Sequence, residues 1–133
     1  MEAVDSDMSH PLRFKKATVI IPVHNESCVA SAVRSILDNS APLPFDIVVA
    51  GNDGARAVPS DPRVRFLETD ENALPSAKRN RAVEASDGDL ILFADSDCVA
   101  DPGRIKGAVE AMSEHRHVVA GGLRFPADAV CGL

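Results

Sequence analysis

The chain has 133 residues, 45% hydrophobic and 26% charged, the balance of one soluble globular domain, which excludes a disordered or fibrous segment. Its 20 acidic against 14 basic residues leave a formal charge of -6, with the bases scattered; Trp and Tyr are absent beside five Phe. Nucleic acid is thereby excluded as a partner, for want of both a concentrated positive surface and an aromatic stacking set.

Residues 1–16 carry three acids, three bases, Pro11 and no periodic apolar pattern, so they read as a mobile leader ahead of a domain spanning 17–133. The spacing predicts strands over Ala17 to Pro22, Asp46 to Gly51, Val64 to Leu67, Asp89 to Ala94 and Val118 to Gly121. Several are near-continuous in Val, Ile, Leu and Phe, the pattern of strands buried on both faces of a parallel sheet. Between the first two, Val29, Ala32, Val33, Ile36 and Leu37 fall on one helical face, with Asn25 as candidate cap. A second helix runs from about Pro75 to Ser86 with a weaker face of Leu74, Ala77, Ala82 and Ala85. In a third, Ile105, Ala108, Val109 and Met112 repeat the spacing behind Asp101-Pro102, read as a cap followed by a first-turn proline. The order is that of a doubly wound α/β fold with helices on both faces of a mostly parallel sheet.

No apolar run is long enough to span a bilayer, and no signal-peptide pattern opens the chain. Cys28, Cys98 and Cys131 form no C-x-x-C pair, and their odd number points to a reducing, cytoplasmic setting without a zinc site.

Ligands of an open parallel sheet bind beyond the carboxyl ends of its strands. The residues there are Pro22-Val23-His24-Asn25-Glu26, Asn52-Asp53-Gly54 and Asp95-Ser96-Asp97, joined by Lys78-Arg79-Asn80 near the start of the middle helix. Asp95 and Asp97, two anions one residue apart, repel unless a cation lies beside them, and their hard oxygens favour Mg2+ or Mn2+. Lys78 and Arg79 sit where a helix N-terminus already favours anions, suited to a diphosphate. Each signal also has an ordinary reading: helix caps for the acids, a solvated face for the bases, a turn at Asn52-Asp53-Gly54 and a loop residue at His24.

The ordered series Thr-Val-Ile-Ile-Pro-Val-His-Asn-Glu (18 to 26), Ile-Val-Val-Ala-Gly-Asn-Asp-Gly (47 to 54), Ser-Ala-Lys-Arg-Asn-Arg-Ala (76 to 82) and Gly-Asp-Leu-Ile-Leu-Phe-Ala-Asp-Ser-Asp (88 to 97) resembles the family 2 glycosyltransferases of the GT-A fold. The resemblance covers residues 17 to about 126 and implies metal-dependent transfer of a sugar from a nucleoside diphosphate donor to an acceptor hydroxyl, with inversion. By position, Pro22 and His24 would line the nucleoside pocket, His24 standing where the family most often has Tyr, and Asn25 and Glu26 would end that motif. Asn52 takes the place of an acid that commonly reads the base or ribose, with Asp53 after it, and Ala55 replaces a frequent Ser. Arg79 matches the arginine that approaches the nucleotide. In Asp95-Ser96-Asp97 the first acid would face the ribose or donor sugar, and the last would bind the metal.

An inverting reaction needs a general base, which the family supplies after the Asp-x-Asp motif. Here 36 residues follow Asp97: Asp101, Glu110 and Glu114 belong to the third predicted helix, and Asp128 lies near the chain end, so no base is assigned. The chain reads as the donor-binding half of a longer enzyme, with the acceptor, whether saccharide, lipid or small molecule, unspecified. A homo-oligomer is compatible with the sequence. The rival readings are a non-catalytic nucleotide-sugar-binding or scaffold domain of the same fold, a haloacid dehalogenase-type phosphatase suggested by Ile91 to Val99, and a receiver domain. The last two place their acids near the start of the fold, and here the pair comes late.

Overall fold

Every residue of strand β1 (Ala17–Pro22) is buried, as expected of an Ala, Val and Ile run without polar alternation. The computed structural model describes residues 13–24, 28–52 and 58–114. After β1 come helix α1 (Val29–Leu37), β2 (Phe45–Gly51), β3 (Val64–Glu68), α2 (Pro75–Ala85), β4 (Leu90–Phe93) and α3 (Arg104–Glu114). The sheet order is β3-β2-β1-β4 with every pairing parallel: β1 aligns Ala17 with Phe45 and with Leu90, and β2 aligns Ile47 with Val64. The predicted strand at Val118 to Gly121 lies outside the described residues, as do Asn25, Glu26 and Asp53.

Alternate residues of β1 feed two separate cores, because successive side chains of a strand point to opposite faces. Ala17, Val19 and Ile21 join Ile47 and Val49 of β2 against Val29, Val33 and Ile36 of α1 and Ile105 and Val109 of α3. Ile20, with Val48 and Ala50, meets Ala82 of α2 on the other face. Crossover helix α1 thus covers one face and α2 the other. Helix α1 has nine residues, fewer than the ~12–15 an isolated helix needs, so packing holds it. Full burial of Val29, Val33 and Ile36 contributes about 1.5–3 kcal/mol each.

Three local expectations are corrected. Helix α1 begins after Cys28, which makes no side-chain cap, rather than being capped from Asn25. Helix α3 starts at Arg104, so Pro102 lies in the preceding turn rather than in the first helical turn, and Asn39 Oδ1 accepts from the Ile105 N–H at 2.8 Å. On α2 the predicted apolar face fails: Leu74 is 68% exposed, Ala77 and Ala85 are exposed, and the helix buries Ala82 and Lys78. Alanines scattered around a polar helix define no stripe, so contact is decided by where one small residue lets the helix approach the sheet.

Gly51 ends β2 under the chain leaving β1. A Cβ there would collide with the carbonyl oxygen and Cγ1 of Val23, and the Val23 N–H donates to Ala50 O at 2.8 Å. Glycine therefore allows the β1–α1 loop to cross the end of β2.

Candidate active site

The crossovers on opposite faces place a topological switch point beside the carboxyl end of β1, between β2 and β4, where open α/β sheets bind ligands. Pro22 and His24 leave β1, Asn52 leaves β2 and Asp95 to Asp97 leave β4 at this rim. Pro22 is buried and His24 exposed.

Beyond β4 the Ala94 N–H donates to Ile20 O at 3.0 Å, which carries the sheet ladder one residue past the strand. The chain then turns, with the Cys98 N–H donating to Asp95 O at 3.3 Å. That turn gathers a carboxylate oxygen of Asp95, one of Asp97 and the Cys98 sulfur within 4.8 Å of one another. Ser96 between them is buried and Asp97 exposed. Two carboxylates in such proximity repel, and a divalent cation relieves the repulsion while accepting hard oxygen ligands, so the donor set fits Mg2+ or Mn2+. Sequence reasoning missed Cys98 as the third member of this group. Its thiol donates to Asp97 Oδ1 at 3.5 Å; burial first, then Asp97 and Asp95, push its pKa up to about 11. Without an ion it is a neutral thiol at ordinary pH, and its soft sulfur suits Mg2+ or Mn2+ less well than the two carboxylates do.

The two cations of α2 have different surroundings. Arg79 reaches Asp95 Oδ1 at 3.6 Å and lies 5.9 Å from the Phe93 ring centroid, so it bridges α2 to the end of β4. The pair is partly exposed, with side chains 35% and 45% accessible, and such pairs are weak enough for Arg79 to exchange Asp95 for another anion. Lys78 is 2% exposed, and its ammonium donates to Val23 O at 2.7 Å. Its charge is thus lodged beneath the β1–α1 loop, where it fixes the residue before His24. No apolar periodicity signals a buried lysine, which is why sequence reading groups it with Arg79 as a cation for the diphosphate.

At the ends of β2 and β3, Asn52 Oδ1 and Thr69 Oγ1 are buried without a hydrogen-bond partner among the described residues. The Thr69 N–H donates to Gly51 O at 2.7 Å, which holds the two residues at the same level of the sheet. Thr69 is absent from the sequence reading, because a threonine after a strand carries no pattern of its own.

Comparison with known proteins identifies the family. The sequence matches the profile of glycosyl transferase family 2 over residues 18–131. The chain belongs to that family. Among curated relatives, the succinoglycan biosynthesis protein ExoO of Rhizobium meliloti is 29% identical over 100 residues, covering 70% of this chain and 28% of the relative. An N-acetylglucosaminyltransferase of Azorhizobium caulinodans is 34% identical over 97 residues, covering 65% of this chain and 24% of the relative. The chain therefore spans about a quarter of the length of these curated relatives. Among solved structures, S. aureus TarS in complex with UDP-GlcNAc superposes with a TM-score of 0.58 at 22% identity, covering 76% of this chain and 32% of that one. This likeness shows a GT-A fold, and the family 2 match over residues 18–131 decides against the phosphatase and receiver readings.

Proposed function

We propose that this chain forms the donor-binding part, residues 17–133, of a glycosyltransferase that moves a sugar from a nucleoside diphosphate to an acceptor hydroxyl with inversion at the anomeric carbon. The observation that carries the reading is the cluster of Asp95, Asp97 and Arg79 at the switch point of a family 2 sheet. Leaving-group departure puts negative charge on phosphate oxygen, so groups that hold positive charge there lower the barrier. Arg79 supplies one such charge directly by exchanging Asp95 for a phosphate oxygen. Asp97, with Asp95, would hold Mg2+ or Mn2+, which when bound neutralises charge on the diphosphate.

The remaining residues bind and orient. Pro22 and His24, with Asn25 and Glu26 following, line the nucleoside side, and Lys78 positions that wall through Val23. Asn52 and Asp53 read the base or ribose, and Asp95 with Ser96 faces the ribose or sugar. UDP-GlcNAc, bound by the TarS neighbour, is the donor to try first. No helix among the described residues is long and apolar enough to cross a membrane, and Cys28 and Cys98 are free thiols, which supports a cytoplasmic reducing setting.

Calorimetry with UDP, UDP-GlcNAc and GDP, with and without Mn2+, tests the proposal. Wild type binds one nucleotide more tightly with Mn2+ present, and Asp97→Ala loses about tenfold or more in affinity in Mn2+, the scale of a charged contact. Binding that ignores both the metal and the substitution would sink the reading.

A further inference from the structure

Thr69 is 7% exposed and its hydroxyl has no partner among the described residues, a costly state for a polar group removed from water. Asn52, one residue beyond the last paired residue of β2, presents the same deficiency at Oδ1. The two are next in register: Gly51 pairs with Glu68, and Asn52 and Thr69 follow directly. The Thr69 N–H donates to Gly51 O at 2.7 Å, so the ladder continues to Thr69 and sets the two residues side by side at the carboxyl ends of β2 and β3. Two adjacent buried polar groups left unpaired at the ligand-binding end of a sheet have the character of a recognition edge awaiting its complement.

We infer that Thr69 is a specificity-determining residue, and that with Asn52 it forms a hydroxyl–amide pair reading the edge of the donor's nucleobase. This rests on the nucleotide-sugar reading above. Asn52 Oδ1 only accepts, so it calls for an N–H; the threonine hydroxyl donates or accepts and calls for a carbonyl beside that N–H. Uracil's imide edge carries that pair of groups. A site built to hydrogen-bond a ligand group discriminates strongly against one lacking it, because the protein's own polar atoms are then left unpaired. The phosphates lie with Arg79 and the Asp95–Asp97 turn, across β1 from this edge, so base recognition and diphosphate binding are separable by substitution.

Thr69→Val replaces the hydroxyl with a methyl of equal shape. Titration of wild type and T69V with UDP and with inorganic pyrophosphate, both in Mn2+, separates the two halves of the ligand. T69V binds UDP about fivefold more weakly, the fold-change of one neutral hydrogen bond. Pyrophosphate affinity is unchanged, and the unliganded variant melts no lower than wild type because an orphaned hydroxyl has been removed. Equal UDP affinity in the two proteins, or parallel loss of UDP and pyrophosphate, would overturn the role of Thr69 while leaving the donor-site reading in place. Failure of wild type to bind UDP at all would overturn both.

Discussion

A single thiol separates two descriptions of the Asp95–Asp97 turn. Cys98 sits within 4.8 Å of both carboxylates, so a soft metal would find a sulfur ligand there if the thiol ionised. Burial and the two neighbouring anions oppose ionisation and push the pKa up to about 11. The metal-free turn therefore holds a neutral thiol, and Mg2+ or Mn2+, being hard ions, prefer the carboxylate oxygens over sulfur. Cys98→Ser accordingly leaves Mn2+-dependent nucleotide affinity within about twofold of wild type, well under the tenfold that corresponds to 1.4 kcal/mol. Titration with Mn2+ and UDP checks this, and a tenfold loss would assign the sulfur to the metal. The same pKa predicts that alkylation of Cys98 by iodoacetamide is slow at neutral pH and accelerates only in strongly alkaline solution.

Among the elements, two polar residues join α1 to the start of α3 beside the apolar core the helices share. Asn39, 8% exposed, accepts from the Ile105 N–H and donates through Nδ2 to Ser35 O and Asp101 O, both at 3.1 Å. Ser35 Oγ in turn accepts from the Ala100 N–H at 2.8 Å. Asn39→Ala removes a helix cap and leaves buried groups unpaired, and it should cost about 2 kcal/mol in urea unfolding. The loop it anchors follows the Asp95–Asp97 turn, so Mn2+-dependent nucleotide binding weakens as well. A stability loss below about 0.5 kcal/mol would show that water replaces the side chain there. This junction also marks what sequence can express. Strands β1 and β2 were legible because their Val and Ile runs record burial on both faces, and α1 because its apolar residues repeat at helical spacing. The Asp-x-Asp turn was legible because its chemistry is local. Asn39 and Thr69 acquire meaning only when residues distant in sequence are brought against them. Lys78 was misgrouped because the 55-residue separation from its partner Val23 leaves no trace in helix periodicity.

At the scale of the molecule, the chain entering the sheet is tied to β4 by carboxylates rather than by apolar packing alone. Asp89 accepts from the backbone N–H groups of Lys15 and Lys16 at 3.0–3.1 Å, while Lys16 Nζ reaches Asp87 at 2.7 Å and Asp46 at 3.3 Å. The Lys16 and Lys15 backbone N–H groups hold Asp89 below its ordinary pKa of 3.8, and the Lys16 ammonium does the same for Asp87. A carboxylate whose folded pKa is depressed adds stability above its unfolded value and loses it as pH falls through the folded one. Wild type therefore keeps this contribution at neutral pH and sheds it below about pH 4, the range of an unfolded carboxylate. Asp89→Asn keeps an acceptor but no charge, so it should unfold at lower urea than wild type at about pH 7 and nearly match it at about pH 2. Urea midpoints at the two pH values decide the matter. A gap that persists undiminished in acid would mean that the Asp89 charge is not what joins the entry segment to β4.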